Sequence, residues 1–555
     1  MIEQNFIKFF ETSFKENWSL PAFTNYEEAK TYSIADVAKW VAKVHLLLDN
    51  IGVEQEDKIS LIAKDSAEWC MTWLGIVTYG AVIVPILPAF HGEDIRHIIR
   101  HSDSKYVFVG EEHKKLLQLE AMSDVIATFD VKTLKPIAEL TRSSQAVELD
   151  ADQLYSNRYP NGLQRDEIQL PEISNDRVVV ISYTSGTSGF SKGVMTTANN
   201  LAANIVYALT QNIIKTGRPL LCFLPNAHAY GCAFNFLLPV IKGAHAYILD
   251  SKPTPTVLMK AFKDVRPHAI LMVPLVLEKI YKNAIAPKLK KKSVRFGLKV
   301  PIINKIIYKK IRESLIEVMG GDVEEVIIGG APLNDEVAYF LSKAKFPYMV
   351  GYGMTECAPL VCYAKHEVFV AGSCGKVLDL IEEVRLYDPE EVDGHMVGEV
   401  QVRGENVCKG YYNDPKKTEE LFTADGWMRT GDSGYLDKNR NLFLRGRKKS
   451  MILGANGQNI YPEEIEAKIS LLPYMSESIL VSRDGHKRVA IVTMDEVALK
   501  RDGLDNPQDR ERILKENRLS LNQNIASFAS VAAFELLDGD FEKTPKQSIK
   551  RYLYE

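Results

Sequence analysis

The chain predicts a mixed α/β protein with more than one domain, and three observations carry that expectation. Helical patterns alternate with short β-branched runs over the N-terminal two thirds, several of those runs end in glycine-rich turns, and beyond Gly398 the texture changes to hairpins and a final α+β segment. At 555 residues the chain exceeds what one hydrophobic core usually organises, so two or three domains are expected.

The first alternation is a helix over 34–48, a strand over 59–62, a helix ending near residue 79, and strands over 81–85 and 106–109. Residues 69–90 carry no charge and are numerous enough to raise the question of a membrane span. Gly80, Pro85 and Pro88 divide them into a core helix and a short strand of the kind a buried parallel sheet uses. Residues 177–183 read as a buried strand, 196–211 as a helix, and 323–328 and 348–350 as strands that run directly into GGAP and GYGMTE. In open α/β sheets ligands sit where such strands end. Past residue 398, GEVQVRG and GYLDKNRNLFLRGR suggest a hairpin turning at 437–441. Pro462 with Glu463, Glu464 and Glu466 opens a helix, with proline at its first position and acids near the positive end of the dipole.

Composition narrows the classes. Lys and Arg total 68 against 72 Asp and Glu, a net charge of −4, which favours neither nucleic acid nor an acidic ligand. The seven cysteines form an odd set without a CxxC or zinc-like spacing, as expected of reduced thiols in a cytoplasmic protein. The first residues are charged throughout and lack a continuous apolar stretch, so a secretory signal is not expected.

The most informative segment is YTSGTSGFSKGV, residues 183–194. Thr184, Ser185, Thr187, Ser188 and Lys192 supply donors, while Gly186, Gly189 and Gly193 let backbone N–H groups turn toward an anion. The segment departs from the common P-loop: Ser191 stands where that motif needs glycine, and Gly193 follows Lys192 where it needs Ser or Thr. A polyphosphate cradle is the functional reading, and a Ser/Gly-rich surface loop the plain one.

This loop resembles the TSGTTGxPKG signature of the AMP-forming adenylating enzymes, the acyl-CoA synthetase and luciferase superfamily, with Ser188 and Ser191 as departures. Further motifs follow in the superfamily's order, so the resemblance spans essentially the whole chain. It implies that His228 in LPNAHAYG lies beside the acyl carboxylate and the α-phosphate, and that Gly330, Ala331 and Pro332 in GGAP contact adenine. In GYGMTE, Gly351 and Gly353 flank Tyr352, which would stack on the base; Thr355 would donate to the α-phosphate and Glu356 hold Mg²⁺. Asp432 in DGWMRTGD would accept the ribose hydroxyls, and Arg447 in GRKKS would reach ribose and phosphate.

The implied chemistry joins a carboxylate to the α-phosphate of ATP, releases pyrophosphate, and passes the acyl group to CoA. It needs no covalent nucleophile, only positioning and positive charge around phosphorus. The implied fold is a large N-terminal region of mixed α/β sheets with a distal β-barrel-like part, residues 1–449, and a small mobile α+β lid, residues 450–555. Ser450 would be the hinge, in place of the usual Asp or Lys; a small residue can absorb the backbone change. Gly454, Asn456 and Gly457 would wall a pantetheine channel.

One departure bears on catalysis. The ending EKTPKQSIKRYLYE resembles TPxxKIxR, but Ser548 stands where the superfamily has the lysine that assists adenylation. In an extended segment Lys546 and Lys550 share a face with Ser548, and Lys546 is expected to substitute. The alternative is a protein that binds acyl-AMP or ATP without making adenylate efficiently. Residues 265–285 and AGSCGKV (371–377) resemble fatty-acyl-CoA synthetases, so a medium- or long-chain fatty acid is the expected substrate and CoA the acceptor; an acyl-carrier protein is the other acceptor considered. Between Lys282 and Arg312 stand eleven Lys or Arg and no acid. That run fits peripheral contact with an anionic membrane, attraction of the CoA phosphates, or a solvated helix face.

Overall fold

Residues 2–184, 192–289, 291–453, 459–483, 487–525, 529–544 and 548–555 are described by the computed structural model. Two large, mostly parallel sheets organise the N-terminal part. The first orders its strands Ala127–Asp130, Ser104–Val109, Lys58–Ile62, Val82–Pro85, Val178–Thr184 and Lys192–Thr197, parallel except for the last pair. The second orders Tyr348–Val350, Glu325–Ile328, Ala269–Met272, Pro219–Cys222, His245–Ile248, Pro21–Asn25 and Lys30–Ser33, again with one antiparallel pair at its edge. Strands such as VIVP (Val82–Pro85) and AILM (Ala269–Met272) are buried at every position, which is why they read as unbroken apolar runs and not as alternations.

The uncharged stretch resolves as expected into helix Ala67–Tyr79 and strand Val82–Pro85. Gly80, at φ 105°, ends the helix in the left-handed conformation that glycine adopts freely. Gly75 meets helix Ile34–Asn50 so closely that a Cβ there would lie 2.6 Å from Val44 Cβ. Among the described residues no helix is long and apolar enough to cross a membrane.

Several boundaries differ from expectation by one or two residues, as at Glu325–Ile328 and Ser104–Val109, and two further differences bear on the site region. The helix after the glycine-rich loop begins at Ala198 instead of residue 196, because residues 192–197 are drawn into a strand against Val178–Thr184 and Thr197 then accepts from Asn200 N to cap the helix. The hairpin texture begins before Gly398, since strand Glu382–Val392 already pairs with His395–Gly404. Nor does a barrel close among the described residues. The distal part is an open four-stranded antiparallel sheet, Glu382–Val392, His395–Gly404, Met428–Leu436 and Leu442–Arg447, beside a three-stranded one that starts at Tyr352–Gly353.

Hydrophobic packing follows this division. One cluster fills the space around both large sheets, and a second, with Val194, Tyr352, Val400 and Tyr411, lies under the antiparallel strands. Ile460, Ile465, Ile469, Met475, Leu480 and Val492 belong to a cluster whose buried members all come from beyond residue 459.

Candidate active site

The glycine-rich segment links two antiparallel strands: Thr184 pairs with Lys192, and Ser185, Gly186, Thr187, Ser188 and Gly189 between them lie outside the described residues. The far side of strand Lys192–Thr197 is bonded to residues 409–412, through Met195 N to Gly410 O (2.9 Å), Lys409 N to Met195 O (3.0 Å) and Tyr412 N to Gly193 O (2.7 Å). This pairing sets the Tyr411 ring against Lys192, whose Nζ is 4.8 Å from the ring centroid, a cation–π distance. The Tyr411 hydroxyl donates to Glu356 Oε1 at 3.0 Å. Lys192 and Glu356, far apart in sequence, are thus joined through one tyrosine.

Four residues before Glu356, Tyr352 donates its hydroxyl to Asp432 Oδ2 at 2.5 Å. Asp432 is the strand partner of Arg447, and Arg447 Nε lies 3.7 Å from Asp432 Oδ1. Burial pushes the Asp432 carboxyl above its ordinary range, opposed by the Tyr352 hydrogen bond and the Arg447 charge; Glu356 is near enough to add to the rise. Both groups are held by the same short segment. Gly351 N bonds Ile328 O at 2.8 Å, Thr355 is buried, and Cys408 N bonds Glu356 O at 2.8 Å. Only glycine fits at 353, where a Cβ would fall 2.1 Å from Pro359 O.

The histidine turn meets the end of the neighbouring strand. His228 precedes the short helical turn Ala229–Gly231, and its ring accepts from Tyr230 N at 3.4 Å. The Tyr230 hydroxyl bonds Ile327 O at 3.2 Å, and its ring lies where a Cβ on Gly329 would touch it at 3.2 Å. Tyr230, two residues after His228, is therefore docked onto the GGAP turn, where Gly330 takes φ 90° and Ala331 and Pro332 are exposed.

Behind this turn, Asp65 Oδ1 accepts from Asn226 N at 3.0 Å. Burial pushes the Asp65 carboxyl up to about 7, against the pull of that hydrogen bond. From the ordinary value of 3.8 up to about 7 the folded state keeps a proton that the unfolded state releases, so stability falls as pH rises through this window and the loss is complete above it. Asp65→Asn keeps the acceptor and removes the charge. It should raise unfolding stability at pH 8 by about 1–3 kcal/mol and change it little at pH 4, as read from urea midpoints; equal effects at both pH values would contradict the assignment.

The C-terminal candidates are arranged differently. Ser450 ends the short turn Lys448–Ser450, while Gly454, Asn456, Gly457 and Lys546 lie outside the described residues. Thr544 N bonds Ser548 O at 2.7 Å and Lys543 bridges Ile549, so residues 543–544 pair with 548–549, and the alternation expected to align Lys546 with Ser548 and Lys550 falls on residues outside the described ones. Lys550 Nζ is 3.4 Å from Glu542 Oε2, and Arg551 is anchored to Glu466 Oε1 (2.7 Å) and Leu480 O (2.9 Å).

Tyr411, Tyr230 and Asp65 were absent from the sequence-based set. Tyr230 lies inside LPNAHAYG and Tyr411 outside the motifs read from the sequence, and their contacts arise from a neighbouring strand end and from strand pairing, which spacing along the chain does not encode.

Two mostly parallel sheets with cationic and carboxylate side chains at their edges, followed by a small C-terminal unit, match the adenylate-forming fold. The AMP-binding enzyme family matches residues 10–412, and the chain belongs to it. It is an AMP-forming acid–thiol ligase that works with ATP, Mg²⁺ and CoA. The chain is similar to the long-chain-fatty-acid–CoA ligase FadD15 of Mycobacterium bovis, 26% identical over 93% of this chain and 89% of the relative. It is similar also to 4-coumarate-CoA ligase 1 of Narcissus pseudonarcissus, 27% identical over 83% of this chain and 78% of the relative. Among solved structures, o-succinylbenzoate CoA synthetase (MenE) from Bacillus subtilis with its acyl-adenylate OSB-AMP superposes with a TM-score of 0.73, at 20% identity, over 100% of this chain and 99% of that one.

Proposed function

We propose that the chain activates a medium- or long-chain fatty acid as its acyl-AMP and transfers the acyl group to CoA, with residues 1–449 as the adenylation domain, 450–555 as a lid, and Ser450 as the hinge between them. The observation that carries the site assignment is that Lys192 and Tyr411 join Glu356, and Asp432 with Arg447 joins Tyr352, on one short segment at the sheet edges. Lys192 and the loop 184–189 face the phosphates, Asp432 offers Oδ1 to the ribose while Oδ2 keeps the Tyr352 hydroxyl, and His228 orients the carboxylate from the turn locked on GGAP. Thr355 donates to the α-phosphate. Glu356 fits Mg²⁺ by the chemistry of its donor set, one carboxylate beside phosphate oxygens and hydroxyls. Bound there, the ion would spread the negative charge that develops on the phosphates.

Tyr411 positions Glu356 in this scheme. Tyr411→Phe should leave thermal unfolding nearly unchanged, raise the Mg²⁺ concentration needed for half-maximal ATP–pyrophosphate exchange by about tenfold, and leave saturated exchange close to wild type. A change in stability without a change in Mg²⁺ dependence would make Tyr411 a packing residue only.

The acid preference rests on residues 265–285 and 371–377 and on the long-chain ligases among the relatives; a coumarate ligase is among them too. A ladder of linear acids and 4-coumarate, assayed with ATP, Mg²⁺ and CoA, separates the possibilities. Fastest AMP and acyl-CoA release is expected with a medium or long linear acid. An aromatic acid turning over fastest would overturn the fatty-acid assignment, and ADP in place of AMP would overturn the chemistry.

A further inference from the structure

Helices Lys292–Leu298 and Pro301–Val318 fold back on each other at Gly297, where a Cβ would stand 2.7 Å from Ile307 Cδ1 and 3.0 Å from Ile303 Cγ2. The inner face of the longer helix is seated by buried Leu315 and by Tyr308, whose ring lies 5.8 Å from that of Phe340. The tip faces outward. Phe296 is 71% exposed, Ile302 76%, Ile306 51% and Ile303 43%. Single exposed apolar residues are ordinary on a soluble surface, but four at one end of one hairpin are a patch.

Charge surrounds that patch in a definite order. Lys291, Lys292, Lys299, Lys305, Lys309 and Lys310 are exposed, and no acid occurs from Lys282 to Arg312. Along the longer helix exposed Ile302, Ile303 and Ile306 occupy the first turns with Lys305 among them, Lys309 and Lys310 follow, and only afterwards come Glu313 and Glu317. At about 1.5 Å per residue Lys309 lies roughly 10 Å behind Ile302. Interfacial helices bury their apolar part about 5–10 Å below the headgroups, so apolar tip and lysine collar match the layering of a bilayer surface. The Lys309–Glu313 contact, 3.8 Å between exposed groups, holds that lysine only weakly.

We propose that this hairpin tip is a docking surface for an anionic lipid bilayer, with Phe296, Ile302, Ile303 and Ile306 among the acyl chains and the lysine collar at the phosphates. Lys282, the first cation of the basic run, stands outside this surface, because its Nζ donates to Met475 O (2.7 Å) and Ser470 O (3.4 Å). The root of the hairpin reaches the chain just past GGAP: Tyr281 Oη bonds Glu336 Oε1 at 3.1 Å and Asn334 N bonds Glu278 Oε1 at 3.0 Å. Docking would therefore hold the candidate site close to the source of an amphiphilic acid, although the surface stands whichever acid is preferred.

Vesicle flotation tests it, with phosphatidylglycerol–phosphatidylcholine vesicles against phosphatidylcholine alone. Wild type should float with the anionic vesicles, less so at high salt. Lys292→Glu/Lys305→Glu/Lys309→Glu should weaken this by more than about tenfold, as should Phe296→Ser/Ile302→Ser/Ile306→Ser, which leaves the charge intact. Both variants should keep wild-type circular dichroism and pyrophosphate exchange with a short soluble acid; should either fail to fold, Lys309→Glu and Ile302→Ser alone should each show a smaller loss of flotation. Indifference of wild type to lipid charge, or variants that float as well as wild type, would overturn the proposal. So would a charge-reversed variant whose KM for CoA rises while flotation is intact, which would assign the lysines to the CoA phosphates.

Discussion

Glu356→Gln is expected to lower ATP–pyrophosphate exchange by about 10²–10³-fold at any Mg²⁺ concentration that can be reached. The substitution keeps the length of the side chain and the oxygen that accepts from Tyr411 Oη, so the local fold is preserved and only the charge is lost. An uncharged amide is a poor ligand for Mg²⁺, which favours carboxylate oxygens. The contrast with Tyr411→Phe is diagnostic: that change leaves the charge and removes its support, so its effect should be overcome by added Mg²⁺, whereas that of Glu356→Gln should not. Exchange within threefold of wild type in Glu356→Gln would remove the residue from the metal site.

Lys546→Ala should cost a similar factor, about 10²–10³-fold in exchange, with Lys550→Ala costing little. The reasoning concerns charge supply. Ser548 cannot present a cation to the phosphates, and Lys550 stands opposite Glu542. That exposed pair is worth little energetically, so Lys550 is not locked, but its backbone N is also bonded to Glu542 O, which pairs it with the chain before residue 545. Lys546 lies outside the described residues. If Lys546 supplies the missing ammonium, Ser548→Lys introduced into Lys546→Ala should recover most of the exchange. Unchanged activity in both alanine variants would eliminate substitution by either lysine. Thioester formation from synthetic acyl-AMP in a wild type unable to exchange pyrophosphate would instead show that the first half-reaction has been lost.

Much of the fold was legible because parallel strands buried on both faces write themselves as short apolar runs, and because a glycine after such a run marks the edge where the chain must turn. Residues 348–350 were placed as the structure has them, and 82–85 within one residue. The errors have physical causes. Residues 192–194 read as the end of the glycine-rich loop and 196–197 as the start of a helix, yet the backbone groups of 192–197 are claimed on both sides, by Val178–Thr184 and by residues 409–412. The barrel-like expectation came from the family resemblance, and the strand runs themselves do not say whether the first and last strands meet. In the candidate site, residues on single motifs could be listed in order, but Tyr411 could not, since its significance lies in touching Lys192 and Glu356 at once. Likewise Lys282 seemed one more cation of a basic run until its partners proved to be carbonyl oxygens of Ser470 and Met475.

The contact between Tyr230 and Gly329 constrains how this protein could change its choice of acid. With its hydroxyl tethered to Ile327 O and its ring resting on bare glycine, Tyr230 fills the volume next to the histidine turn. Trimming the tyrosine to make room there would also untie the turn from the strand end, while a side chain added at position 329 would push the ring out of place. On the role proposed for His228, room beside the turn and alignment of the reacting carboxylate depend on the same two residues, so selection on one acts on the other.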